Sequence, residues 1–140
     1  MIVFLALLPV FSYLHETGHA LVCIADGNEA EINVEIFNGG TTLCHGDVSN
    51  LFAYKISGGL LAGIIGTAAG IVLFRWKIPF IAVTTIGIGH LINAIIEAFA
   101  DSYFTHGVEW SFIMGLVEFV IFLTLLIIFD RKMVKRNDVL

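Results

Sequence analysis

Charge is scarce in this chain. Of its 140 residues only 14% are Asp, Glu, Lys or Arg, where soluble domains carry about a quarter. Basic residues are the scarcest, seven against twelve acidic, for a formal net charge of −5. No basic footprint exists for nucleic acid, which excludes DNA and RNA as partners. Two cysteines cannot build a disulfide framework. There is no long repeat and no low-complexity segment. What is abundant is apolar: hydrophobic residues make up 58% and mean hydropathy is +0.93. That composition excludes a water-soluble globular domain and a disordered tail, and it names the lipid bilayer as the solvent.

A helix needs about 20 mostly apolar residues to cross the hydrocarbon. Four stretches meet that length, at about residues 2–24, 56–74, 78–100 and 111–129. The first lacks a basic n-region and runs on through the polar cluster at His15, so it is not read as a cleaved signal peptide. Between spans one and two, Glu29-Ala30-Glu31-Ile32-Asn33-Val34-Glu35-Ile36 alternates polar and apolar strictly, the period of a half-buried strand. Asn38-Gly39-Gly40 follows, and Asn-Gly is a strong hairpin signal. Thr41 to Cys44 is the returning strand. The expected fold is therefore an all-α polytopic membrane protein. It is a single membrane-embedded domain, residues 1–140, with about four transmembrane helices and a small β-hairpin, about residues 29–45, between the first and second. Its expected location is the cell membrane.

Six of the seven basic residues lie in the Arg75–Lys77 loop and the tail (Arg131, Lys132, Lys135, Arg136). With four spans both sit on one side, which the positive-inside rule makes cytoplasmic.

His15-Glu16-Thr17-Gly18-His19 is an HExxH. On a helix its histidines lie one turn apart on one face. They can hold one zinc ion, with Glu16 as general base toward water on the metal. From this composition about 0.01 chance matches are expected. Ionisable residues inside an apolar span are also costly unless something compensates them. Zinc catalytic sites usually take a third protein ligand. Span three offers His90, Asn93, Glu97 and Asp101, spaced 3, 4 and 4, on one helical face. Spans one and three run parallel, so both clusters fall at similar depth. Cys23, on the face of His19, reads as inert packing, and a ligand role for it, Cys44 or His45 is unnecessary. Glu118 is a lone acid in span four. Gly59, Gly63, Gly66 and Gly70 let helices approach closely, either within the core or as a dimer face to a second copy of the chain.

Taken in order, these features resemble the site-2 protease family of intramembrane zinc metalloproteases. The matching residues are His15-Glu16-Thr17-Gly18-His19-Ala20-Leu21, the hairpin with Asn38-Gly39-Gly40, the small-residue run Ser57-Gly58-Gly59-Leu60-Leu61-Ala62-Gly63, and Asn93 with Asp101 eight residues on, the spacing of the family's NxxPxxxxDG. The resemblance covers about residues 5–102. Ile96 stands in place of the family's Pro, and Ser102 in place of its Gly.

The resemblance implies a zinc-dependent endopeptidase that cuts a membrane protein substrate in or near a transmembrane segment. It implies that Asp101 is the third ligand beside His15 and His19, and that Asn93 holds or polarises the substrate carbonyl. Glu97, one turn from Asp101, is the alternative ligand, as in glutamate-type zinc proteases. Asn38, Gly39 and Gly40 are candidates for substrate contact, because a strand edge can pair with an extended peptide; a shielding role for the hairpin is the alternative. Family members keep this motif near the cytosolic side, whereas the charge bias puts it near the outer side, and the orientation stays open at this point. Competing readings are an ion or metal transporter using His90, Glu97, Asp101 and Glu118, a catalytically inactive relative, and a haem protein with ligands such as His19 and His90.

Overall fold

The first helix, α1 (Ile2–Ala25), carries the HExxH in its second half. Phe11, His15, His19 and Cys23 recur every four residues and are all buried, so one stripe of the helix faces the protein. The helix stops where Gly27 takes φ +82°. There Gly27 N–H donates to Ile24 O at 2.9 Å and Asn28 N–H to Cys23 O at 3.2 Å. This is a Schellman cap, and a glycine takes its left-handed position without a Cβ clash. These coordinates come from a computed structural model that describes residues 2–35, 39–100 and 107–137.

The alternating segment forms the expected hairpin, β1 (Glu29–Glu35) paired antiparallel with β2 (Gly39–His45). The ladder closes at Glu35 opposite Gly39, with Gly39 at φ +86°. Gly39 and Gly40 thus already belong to the returning strand, which begins two residues earlier than the Thr41 start expected from the sequence. Asn38 lies outside the described residues. Gly40, Thr42 and Cys44 share the inner face of β2 with Ala30, Ile32 and Val34 opposite them. That face rests on α1.

Cys44 is disulfide-bonded to Cys23 of α1, which corrects the reading of Cys23 as a free packing residue. Strand alternation explains the pairing: Cys44 points inward with Thr42, and Cys23 is one helical turn below His19. The hairpin's base is tied again where Ser49 donates its N–H (2.8 Å) and hydroxyl (2.7 Å) to the Asp26 carboxylate. These bonds hold the Asp26 pKa below its ordinary value.

Helix α2 (Leu51–Val72) starts five residues before the apolar run, because Asn50 caps it by accepting the Ala53 N–H at 2.9 Å. Lys55 therefore sits on the helix and not in a loop. Gly59, Gly63, Gly66 and Gly70 of α2 face α3 (Lys77–Phe99). A Cβ on Gly59 would meet the backbone of Ala94, on Gly63 the Leu91 side chain, and on Gly66 the backbone of Gly87. Of the two roles open to this glycine stripe, the fold uses it inside the protein. Phe11, Ala62, Val83 and Ile86 form the apolar core between the three helices.

The last helix, α4 (Gly107–Asn137), runs eight residues beyond the apolar stretch into the basic tail. It packs on α3 with the Phe80 and Phe129 rings 5.1 Å apart, and on α1 through Phe4 and Phe122 at 5.4 Å. Glu118 packs against Gly89 of α3, where no side chain stands in its way.

Among the described residues, three helical segments are long and apolar enough to cross a membrane: Leu51–Val72, Lys77–Phe99 and Phe112–Phe129. Their outer surfaces keep large apolar side chains exposed, among them Ile71, Val72, Phe99 and Phe119, a surface suited to lipid and not to water. Helix α1 is long enough, at 24 residues, but its HExxH dilutes the apolar run.

Candidate metal centre

The polar residues of α1 and α3 meet near the hairpin end of the helices. The 3- and 4-residue spacing of His90, Asn93 and Glu97 turns all three toward α1. His15, Glu16, His19, Asn93 and Glu97 are each buried, Glu97 to 1% exposure. An ionised group so deep is costly unless it is paired or ligates a metal.

His15, His19 and Glu97 offer ligand atoms that lie within 4.8 Å of one another and could hold a metal ion. His15 Nε2 is 3.1 Å from His19 Nε2 and 3.0 Å from Glu97 Oε1, and His19 Nε2 is 3.6 Å from Glu97 Oε2. A tetrahedral ion with bonds of about 2.0–2.1 Å separates its ligand atoms by about 3.3 Å. The three separations scatter around that value. Glu97 Oε2 is fully buried without a hydrogen-bond partner, a cost that a cation would remove. On donor type, spacing and the orphaned oxygen, the group fits a divalent metal ion.

The surrounding bonds orient these ligands. His19 Nδ1–H donates to the Tyr54 carbonyl at 2.7 Å. That tautomer leaves Nε2 unprotonated and aimed at the group, the support metal-binding histidines usually have. Asn93 Nδ2 donates to Glu97 Oε1 at 2.9 Å, so its amide orients the carboxylate. His15 Nδ1 lies 3.2 Å from His90 Nδ1. Were His15 Nε2 to ligate an ion, Nδ1 would carry the proton and His90 would accept it. His90 is itself stacked on Phe11, ring centroids 6.1 Å apart. His90→Phe keeps that stacking and removes the acceptor. We expect it to lower zinc affinity 10- to 100-fold, by analogy with other outer-shell partners, with partial recovery in His90→Gln. Zinc titration of the purified variants checks this.

Glu16, the general-base candidate, faces the hairpin. Thr42 Oγ1 donates to Glu16 Oε2 at 2.7 Å and lies 2.9 Å from the Glu16 carbonyl. Gly40 lies over the same carboxylate, where a Cβ would fall 2.9 Å from Glu16 Oε1. On the other side, Gly58 of α2 makes room for the histidine rings: a Cβ there would meet His19 Nε2 and come within 2.8 Å of His15 Nε2. Gly18, inside the motif, allows α1 to touch α2, since its Cβ would strike Ser57 O.

Of the site residues expected from sequence, the fold thus brings together His15, Glu16, His19, Asn93 and Glu97, with Gly40 over Glu16. Gly39 has nothing near its missing Cβ. Asp101 and Asn38 lie outside the described residues. Thr42 and Tyr54 were not anticipated. Thr42 could have been found from its place on the apolar face of an alternating strand. Tyr54 contributes a backbone carbonyl, which no side-chain pattern reveals. Comparison with known proteins finds no family model that matches this chain, no similar curated protein and no similar solved structure.

Proposed function

We propose that this chain is a zinc-dependent intramembrane endopeptidase of the site-2 protease type, cutting a peptide bond in or near a membrane segment of another protein. The observation that supports it most is the HExxH on a buried helix face, with a third candidate ligand, the carboxylate of Glu97, brought from α3 to within ligand distance of both histidines. In this reading α1 crosses the membrane with the other three helices, and its polar half is sheltered by α2, α3 and the hairpin.

His15, His19 and Glu97 would hold the ion, which when bound would supply a Lewis acid able to acidify water and polarise a peptide carbonyl. Glu16, next in sequence to His15 but turned to the hairpin, takes a proton from the attacking water and delivers it to the leaving amine. Thr42 fixes the Glu16 carboxylate. Asn93 and His90 fix Glu97 and His15, the second-layer contacts that keep ligands in place.

Metal analysis of the purified full chain tests this reading. About one zinc per chain is expected in the wild type and in Asp101→Ala, and none in His15→Ala or Glu97→Ala, because two histidines and one carboxylate complete the site. Zinc lost in Asp101→Ala but kept in Glu97→Ala would move the third ligand to Asp101. A wild-type chain that binds no zinc would end the proposal.

A further inference from the structure

We infer that the His15–His19–Glu97 group faces the oxidising, extracytoplasmic side of the membrane, so that its substrates are peptide segments reaching that outer face. Two independent observations carry the orientation. The first is the bond between Cys23 and Cys44, since structural disulfides form and persist in oxidising compartments and are rare in the cytosol. The second is the placement of basic residues. Arg75 and Lys77 lie at the far end of α2 from the hairpin, and α3 and α4 return the chain so that Arg131, Lys132, Lys135 and Arg136 lie on that same far side. Loops and tails rich in Lys and Arg stay cytoplasmic. One observation concerns thiol chemistry and the other membrane insertion, and they assign opposite ends of α2 to opposite compartments in the same sense.

The metal group sits at the disulfide end. His19 bonds the carbonyl of Tyr54 in the first turns of α2, Glu16 bonds Thr42 of the hairpin, and Glu97 lies in the last turn of α3. None of this needs α1 to span, because α2 alone separates the hairpin from Arg75. The charge bias and the family resemblance pull in opposite directions, and the disulfide sides with the charge. The orientation stands without the proposed activity; the substrate class rests on it.

The test uses the full chain in intact cells. Without reductant, neither native cysteine should react with a membrane-permeant maleimide, and both should react after reduction. In a Cys23→Ser/Cys44→Ser background, Asp47→Cys at the hairpin's base should be labelled by a membrane-impermeant maleimide added outside. Trp76→Cys, in the loop between α2 and α3, should be labelled only after permeabilisation. Native thiols that react without reduction would overturn the inference, as would labelling of Trp76→Cys from outside. Labelling reads the loops and not the metal. A chain that labels as expected yet binds no zinc therefore overturns the metal centre and leaves the orientation intact.

Discussion

On the proposed function, Glu16→Gln is expected to lower peptide cleavage by about 10²- to 10⁴-fold, the usual contribution of a positioned general base, and to leave zinc content unchanged. The substitution removes the proton acceptor and little else. Glutamine keeps the volume of a side chain that is only 6% exposed as part of its residue. Its carbonyl oxygen can still accept the Thr42 hydroxyl that now reaches Glu16 Oε2, so the hairpin keeps its seat. The three candidate ligands, His15, His19 and Glu97, do not include Glu16. Zinc and cleavage should therefore separate in this variant. Cleavage that persists at the wild-type rate would remove Glu16 from the chemistry, and zinc lost along with cleavage would make its role structural. The measurement is a cleavage assay in detergent or proteoliposomes, paired with metal analysis of the same preparation.

Gly58→Ala should have the second large effect, and on a different quantity. The new methyl would lie against His19 Nε2 and 2.8 Å from His15 Nε2, the two nitrogens that would face the ion. Forcing one methyl into a packed site costs about 1–3 kcal/mol. If that cost falls on metal binding, zinc affinity drops by about 5- to 150-fold, at about 1.4 kcal/mol per factor of ten. Gly63→Ala is the control. Its methyl would press on the Leu91 side chain and not on either motif histidine. That variant should lose some thermal stability while keeping zinc. Equal zinc affinity in both variants would mean that Gly58 shapes the helix contact and not the metal group. Zinc titration and thermal unfolding of the two proteins decide between these outcomes.

Much of this site was legible before any coordinates. The four-residue step between His15 and His19 and the 3- and 4-residue steps from His90 to Glu97 are helical periods, so both faces could be drawn from spacing alone. The matching depth of α1 and α3 followed from one intervening crossing. What spacing could not decide was which carboxylate reaches the histidines. By spacing alone Glu97 and Asp101 would share a helical face, and Glu97 comes within reach of the histidines through the placement of α3 against α1. That placement runs through α2, where Gly59 and Gly66 pack on Ala94 and Gly87 of α3 while Gly58 packs on the histidines of α1, contacts between helices that no single-helix pattern contains. The start of α2 was missed for a simpler reason: hydropathy marks what enters lipid, whereas Asn50 starts the helix by a hydrogen bond. The Cys23–Cys44 bond needed two periods read together, one helical and one of a strand.

The disulfide also changes how the hairpin must be thought of. With Cys44 bonded to Cys23, two residues from Thr42 along the strand, the hydroxyl that seats on Glu16 is tethered beside it. For short tethers the effective concentration of one group about another is in the millimolar range. Under the proposed function, a substrate that displaces Thr42 competes with a rival that never diffuses away. Its apparent affinity is lowered by that competition, and the closed arrangement re-forms as soon as product leaves. In that reading the general base spends its idle time hydrogen-bonded to Thr42.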